Sequence, residues 1–115
     1  MRFMIIVKAN KDSEAGVMPE EDMLAVMAAY HEELAKAGVL LDANGLHPSA
    51  KGFRIKYEGG KRRIVDGPFA ETKEQLAGFY LVEARDLNEA LQIAAKIPPA
   101  REGSVEVRPV RELTP

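Results

Sequence analysis

A few side chains in this sequence are able to move a proton or hold a small polar molecule. The first is Asp66, in the run Val65-Asp66-Gly67-Pro68-Phe69. Pro68 fixes its own φ and biases Gly67 toward an extended backbone, so the run reads as a strand end followed by a tight turn. A carboxylate there stands at the edge of a cleft, as a general base or a ligand-orienting group. It equally fits an Asx-type turn residue that accepts backbone N–H bonds. The second is His31, one position off an apolar helical stripe. Facing a cleft, it would suit proton transfer near neutrality; facing away, it is an ordinary half-exposed histidine. Tyr30 and Tyr80, together with Pro68 and Phe69, are candidates to contact a small ligand, although a half-buried tyrosine is often core with a wet hydroxyl. His47, beside Pro48 in a loop, reads as incidental. Arg54 and Arg63 are either carboxylate binders or a solvated strand face.

Other chemistries are excluded. The chain has no cysteine, hence no disulfide, thiolate nucleophile or thiolate metal site. His31 and His47 have no ligand spacing, and the acids Glu20, Glu21 and Asp22 are explained by a helix dipole, so no metal and no cofactor is expected. No phosphate-cradling glycine loop or serine elbow is present. A net charge of −2 gives no basic footprint for nucleic acid. Lys61, Arg62 and Arg63 cluster, but beside a hairpin turn. No apolar run nears the roughly 20 residues of a membrane span. The apolar start at Met1–Lys8 is too short for a signal segment and runs into polar Asn10–Glu14. A cytoplasmic protein without membrane or nucleic-acid partners is expected.

The elements that must position these residues follow from pattern and punctuation. Phe3–Val7 is continuously apolar, a central strand. Residues 9–18 read as a polar loop. Pro19 stands at a first helical position with acids behind it, and the helix runs to about Ala37, with Met23, Met27, Tyr30 and Leu34 as its core stripe and Gly38 as its stop. Val39–Leu41 is a strand that bends through Asp42–Leu46. Phe53, Ile55 and Tyr57 alternate with Arg54, Lys56 and Glu58, a strand with one wet face. Gly59-Gly60 signals a two-residue hairpin returning through Lys61–Asp66. Thr72–Gln75 reads as a single helical turn. Gly78–Glu83 is apolar on both faces. Asp86 and Glu89 have capping-box spacing for a helix reaching about Lys96, stopped by Pro98-Pro99. Ser104–Val110 is a last alternating strand.

At 115 residues this is one domain, 1–115. The order β-α-β, hairpin, β-α-β is α+β, ferredoxin-like with an inserted β-hairpin. Two helices cover one sheet face, yet two strands are apolar on both faces. The simplest cover for the second face is another copy, in an isologous homodimer.

The run Val65–Glu74, with Leu76–Val82 behind it, resembles the YCII-related family in the subgroup named for its Asp-Gly-Pro-Phe motif, and the resemblance spans nearly the whole chain. It implies a dimeric α+β barrel of two sheets packed face to face. Members of the founding branch carry a His and an Asp as an acid–base pair. Asp66 stands where that Asp belongs. The His does not carry over, since its place falls on Met27, with His31 one turn later. Related folds run isomerase, dehalogenase or monooxygenase chemistry on small organic acids or lactones. The expectation is therefore a homodimeric small-molecule-binding or enzyme-like module with a cleft near Asp66, with Asp66 and His31 as catalytic candidates. The alternatives are a non-catalytic regulatory or accessory module linked to transcription, which the association of relatives with sigma-factor genes implies, and a plain structural dimer.

Overall fold

A computed structural model describes residues 1–69, 76–98 and 105–112. Ten elements follow in order: β1 (Arg2–Lys8), α1 (Lys11–Glu14), α2 (Glu21–Lys36), β2 (Leu40–Gly45), a 3₁₀ turn (Ser49–Lys51), β3 (Phe53–Glu58), β4 (Lys61–Asp66), β5 (Leu76–Glu83), α3 (Leu87–Ala95) and β6 (Val105–Pro109). β2, β5, β1 and β6 form one antiparallel sheet in that order, and β3 and β4 form a separate two-stranded hairpin. The fold is mixed α+β, with an antiparallel sheet and few helices.

Alternation along the strands makes the core. In β1, Phe3 and Ile5 point to the helix face, opposite Val82 and Tyr80 of β5. These four are buried together with Ala84 and with Ala90, Ala94 and Ile97 from α3 and its end. Fully burying side chains the size of Phe3, Ile5 and Val82 contributes roughly 1.5–3 kcal/mol each. The opposite face carries Met4 and Ile6 beside Leu81 and Phe79. It is flanked by Asp42 and Asn44 on one edge and Glu106 and Arg108 on the other. No helix covers it among the described residues. The molecule is 18 Å along its thin axis, which is one sheet and one layer of helices.

Local signals explain the helix ends. Gly38 (φ +73°) follows α2, its N–H donating to the Ala35 carbonyl while Val39 N–H donates to that of Leu34, a Schellman closure. At α3, Asp86 accepts the Glu89 N–H at 2.9 Å. Glu89 does not complete the capping box on Asp86; its carboxylate takes the N–H and guanidinium of Arg85 instead.

Three expectations need correction. The segment 9–18 is not all loop, because Asn10 caps α1 through a reciprocal bond pair with Ser13. Pro19 stands two residues before α2 rather than at its first position; Glu20 is the cap residue. The inserted hairpin has no dry face. Phe53, Ile55 and Tyr57 alternate as expected, but they are 69%, 58% and 75% exposed, and Ile64 opposite Ile55 is 59% exposed. The hairpin is outside the main sheet, so neither face meets the core. Its turn is as the glycines demand, with φ of +57° and +79° at Gly59 and Gly60, both positive as a type I′ turn requires. The turn expected at Thr72–Gln75 lies outside the described residues.

The hairpin is fastened at its root. Gly67 N–H donates to the Gly52 carbonyl at 2.9 Å. The Gly67 Cα passes so close to the 3₁₀ turn that a Cβ there would lie 1.6 Å from the Ser49 carbonyl oxygen. Both sides of that approach are backbone, so Gly67→Ala must pull the root apart. We expect a stability loss of at least ~1–3 kcal/mol, the range for overpacking, in chemical denaturation. A variant as stable as the parent would show that the approach is dispensable.

Candidate functional site

The helix face of the sheet carries no large side chain at one end. The alternation that sends Tyr80 and Val82 into the core sends Gly78 to the same face, directly opposite Gly45 of β2. The next residue toward the core on β2 is Ala43, opposite Tyr80. Val7 of β1 is the side chain beside Gly78, and over the two glycines a cleft of about 770 Å³ opens between the sheet and the first half of α2. That volume lies within the range of small-molecule sites, roughly 300–1,000 Å³. Met23 and Met27 come from α2, and the 10–19 segment and Pro48 form further walls. Thioether side chains are unbranched and adaptable, suited to an apolar wall that shapes itself to a ligand.

One end of the cleft is polar. His31 Nε2 and Tyr80 Oη lie 2.6 Å apart, with the rings edge-on at 70° and their centroids 5.0 Å apart. Burial lowers the His31 pKa from its usual value, disfavouring the imidazolium. Burial, and secondarily the neighbouring Tyr30, pushes the Tyr80 phenol up to about 12. Both groups are therefore neutral near pH 7. The phenol is the better acid and the imidazole nitrogen the better base, so we assign Tyr80 O–H as donor to Nε2, which leaves the His31 proton on Nδ1. In that arrangement the open acceptor is the Tyr80 oxygen, and His31 Nε2 can take a proton only through the Tyr80 hydroxyl.

The other wall is tied to the Asp-Gly-Pro-Phe turn. Glu14 lines the cleft, and its carboxylate accepts both the N–H and the hydroxyl of Ser49. The same hydroxyl oxygen accepts the Phe69 N–H at 3.1 Å. Three segments distant in sequence thus converge on one serine.

The residues singled out by sequence are distributed as follows. His31 and Tyr80 are brought together in the cleft. Tyr30 points the other way, its hydroxyl donating to the Ile93 carbonyl at 2.8 Å and clamping α2 to α3. Asp66 ends β4 opposite Phe53, exposed and outside the residues that line the cleft. Pro68 is exposed, and Phe69 is half-buried beneath the Arg54 guanidinium, 3.8 Å from its ring centroid. His47 lines the cleft and is exposed. Sequence reasoning missed the roles of Gly45, Gly78, Glu14 and Ser49. A legible signal did exist in Met23 and Met27, which share a helical stripe but face the cleft rather than a filled core. Among the described residues, no three His, Asp or Glu side chains are grouped closely enough to hold a metal ion. No described helix is long and apolar enough to cross a membrane.

The arrangement is an antiparallel α+β sheet with a helix-roofed cleft and a hydrogen-bonded His31–Tyr80 pair at one end. The chain belongs to the YCII-related domain family, whose model matches residues 1–114. An uncharacterised protein of Rhizobium meliloti (strain 1021) is 37% identical over 114 residues, covering 96% of this chain and 92% of that protein. Among solved structures, the 5-chloro-2-hydroxyhydroquinone dehydrochlorinase of Burkholderia phenoliruptrix AC1100, in complex with 2,5-dihydroxybenzoquinone, superposes with a TM-score of 0.56 over 96% of this chain and 94% of that one. It is 17% identical, a likeness of fold.

The paired groups leave a mark on stability. The unfolded chain protonates its histidine near the usual ~6.5 while folded His31 resists, so stability falls as pH drops below that value toward the lowered folded pKa. The unfolded tyrosine ionises near ~10 while folded Tyr80 holds its proton to about 12, so stability falls again between those values. Denaturation midpoints followed against pH should lose part of the acid-side slope in His31→Asn and part of the alkaline slope in Tyr80→Phe. Unchanged slopes in both variants would place the two rings in water.

Proposed function

We propose that this chain is a homodimeric small-molecule-binding or enzyme-like module whose site is the His31–Tyr80 cleft. The observation that carries the reading is the neutral hydrogen-bonded pair at one end of a cleft with Met23 and Met27 on its α2 wall. Such a site favours a small, flat ring with a hydroxyl to place against the Tyr80 oxygen. The ligand held by the dehydrochlorinase of similar fold, a dihydroxybenzoquinone, is a flat hydroxylated ring. In this reading the ligand hydroxyl gives its proton to the Tyr80 oxygen while Tyr80 passes its own to His31 Nε2, and the methionines shape the opposite wall. Asp66, Pro68 and Phe69 shape the turn that Ser49 fastens to the cleft wall, in the Asp-Gly-Pro-Phe subgroup of the family.

The proposed assembly is the dimeric α+β barrel, two ferredoxin-like sheets packed through Met4, Ile6, Phe79 and Leu81, in a cytoplasmic protein. An apolar strip of this kind, left in water, forfeits about 25 cal/mol for each Å² that a partner would cover.

The test uses 2,5-dihydroxybenzoquinone as probe, titrated calorimetrically into the protein, with sedimentation run alongside. We expect a dimer at micromolar concentration. His31→Ala and Tyr80→Phe should each weaken binding about tenfold, as loss of a hydrogen bond worth ~1.4 kcal/mol would. Asp66→Asn should bind as the parent does, because its side chain lies outside the cleft. Parental affinity in the His31 and Tyr80 variants would remove the cleft from consideration.

A further inference from the structure

The β3–β4 hairpin is an arm without a seat. It is six residues long on each strand, about 20 Å at ~3.3 Å per residue, and it forms its own two-stranded sheet. Its register puts Phe53, Ile55 and Tyr57 on one face with Ile64, and all four are more than half exposed. An isolated two-stranded hairpin is marginal in water, and an apolar face on it adds an aggregation hazard. The arm is also basic. It carries Arg54, Lys56, Lys61, Arg62 and Arg63 against Glu58 and Asp66, in a chain whose net charge is −2.

A surface of matching character lies on the same molecule, at the mouth of the cleft. Val17, Met18, Leu24 and Leu46 line the cleft and are exposed at its rim. Beside them stand Asp12, Glu20, Glu21 and Asp22, all exposed. Lys8 and Lys51 of the lining and the neighbouring Lys11 answer part of that charge, and the rim keeps an excess of acid where the arm is basic. The arm does not reach the rim of its own chain, since its apolar residues are open to water. The uncovered sheet face is a poorer seat, because its flanks pair Asp42 with Asn44 and Glu106 with Arg108 and hold no such excess of acid.

We propose that the arm of one copy docks on the cleft mouth of a second copy of this chain, so that Tyr57 and Arg62 of each arm close the partner's site. The inference rests on the proposed homodimer and adds to it where the two sites meet. A closed mouth desolvates the His31–Tyr80 pair and strengthens the hydrogen bond between them.

The native chain has no cysteine, so paired single cysteines report the contact cleanly. Tyr57→Cys and Met18→Cys chains, differently tagged and co-expressed, are purified reduced and then oxidised. Both positions are exposed, and circular dichroism verifies folding. The mixed 57–18 disulfide should form roughly a thousandfold faster than a mixed disulfide between Tyr57→Cys and Lys36→Cys, the ratio of millimolar effective concentration in a complex to micromolar chains in solution. Arg62→Glu should slow it, and Glu21→Arg in the partner should restore it. No excess over the Lys36 control, or Tyr57→Cys chains linking to one another as fast, overturns the arm-to-mouth contact. Sedimentation of the parent separates the two claims. A dimer without the 57–18 link overturns only this inference, and a monomer overturns the dimer as well.

Discussion

The pairing of β1 with β5 is the interaction on which the remaining structure depends. It aligns Phe3 with Val82 and Ile5 with Tyr80 on one face, and Met4 with Leu81 and Ile6 with Phe79 on the other. A slip of one residue would exchange the two faces, burying Met4 and Ile6 under α3 and exposing Phe3 and Ile5. The same register delivers Tyr80 to His31 and Gly78 to the cleft floor. Core, site and open face are therefore three outcomes of one alignment. The N-terminus helps hold it, since Ala84 N–H donates to the Met1 carbonyl and Val110 N–H to that of Arg2.

Two neighbouring residues on α2 fix the helix above that sheet. Tyr30 bonds sideways to the backbone of α3, and His31 bonds downward to β5. Successive helix positions differ by about 100°, so adjacent residues can address two different partners. Their environments agree in sign, because burial disfavours charge on Tyr30, His31 and Tyr80 alike. The polar end of the cleft is thereby made of dipoles and exchangeable protons rather than fixed charge.

What sequence alone disclosed was what local chemistry decides. Gly38, Gly59-Gly60 and Asp86 each announce an element end within a few residues, and each does what its type requires. Alternation in Phe3–Val7 and Phe79–Val82 disclosed two apolar faces. What stayed hidden depends on contacts far apart in the chain. Glu14 and Ser49 are 35 positions apart, and nothing in either neighbourhood marks them as partners. The hairpin showed the pattern of a half-buried strand, yet its burial depends on an element the pattern cannot name. His31, off the stripe by one position, is settled by where Tyr80 stands, which is a matter of register rather than spacing. Asp66 drew attention through its motif, but the motif's neighbours fix a turn, while the cleft lies across Ser49.

The glycine floor has a consequence for how such a protein diversifies. A Cβ at Gly78 would stand 2.8 Å from the Asn44 carbonyl oxygen, so that position admits no side chain without moving a strand. At Gly45 opposite, a Cβ would meet nothing nearer than 4.0 Å, so Gly78 alone is the fixed point of the floor. The wall is Met23 and Met27, free to be exchanged without disturbing the strands below. Change in the cavity's shape is accordingly confined to the α2 wall and the Gly45 edge, and descendants of a common ancestor can differ there while their sheets remain superimposable.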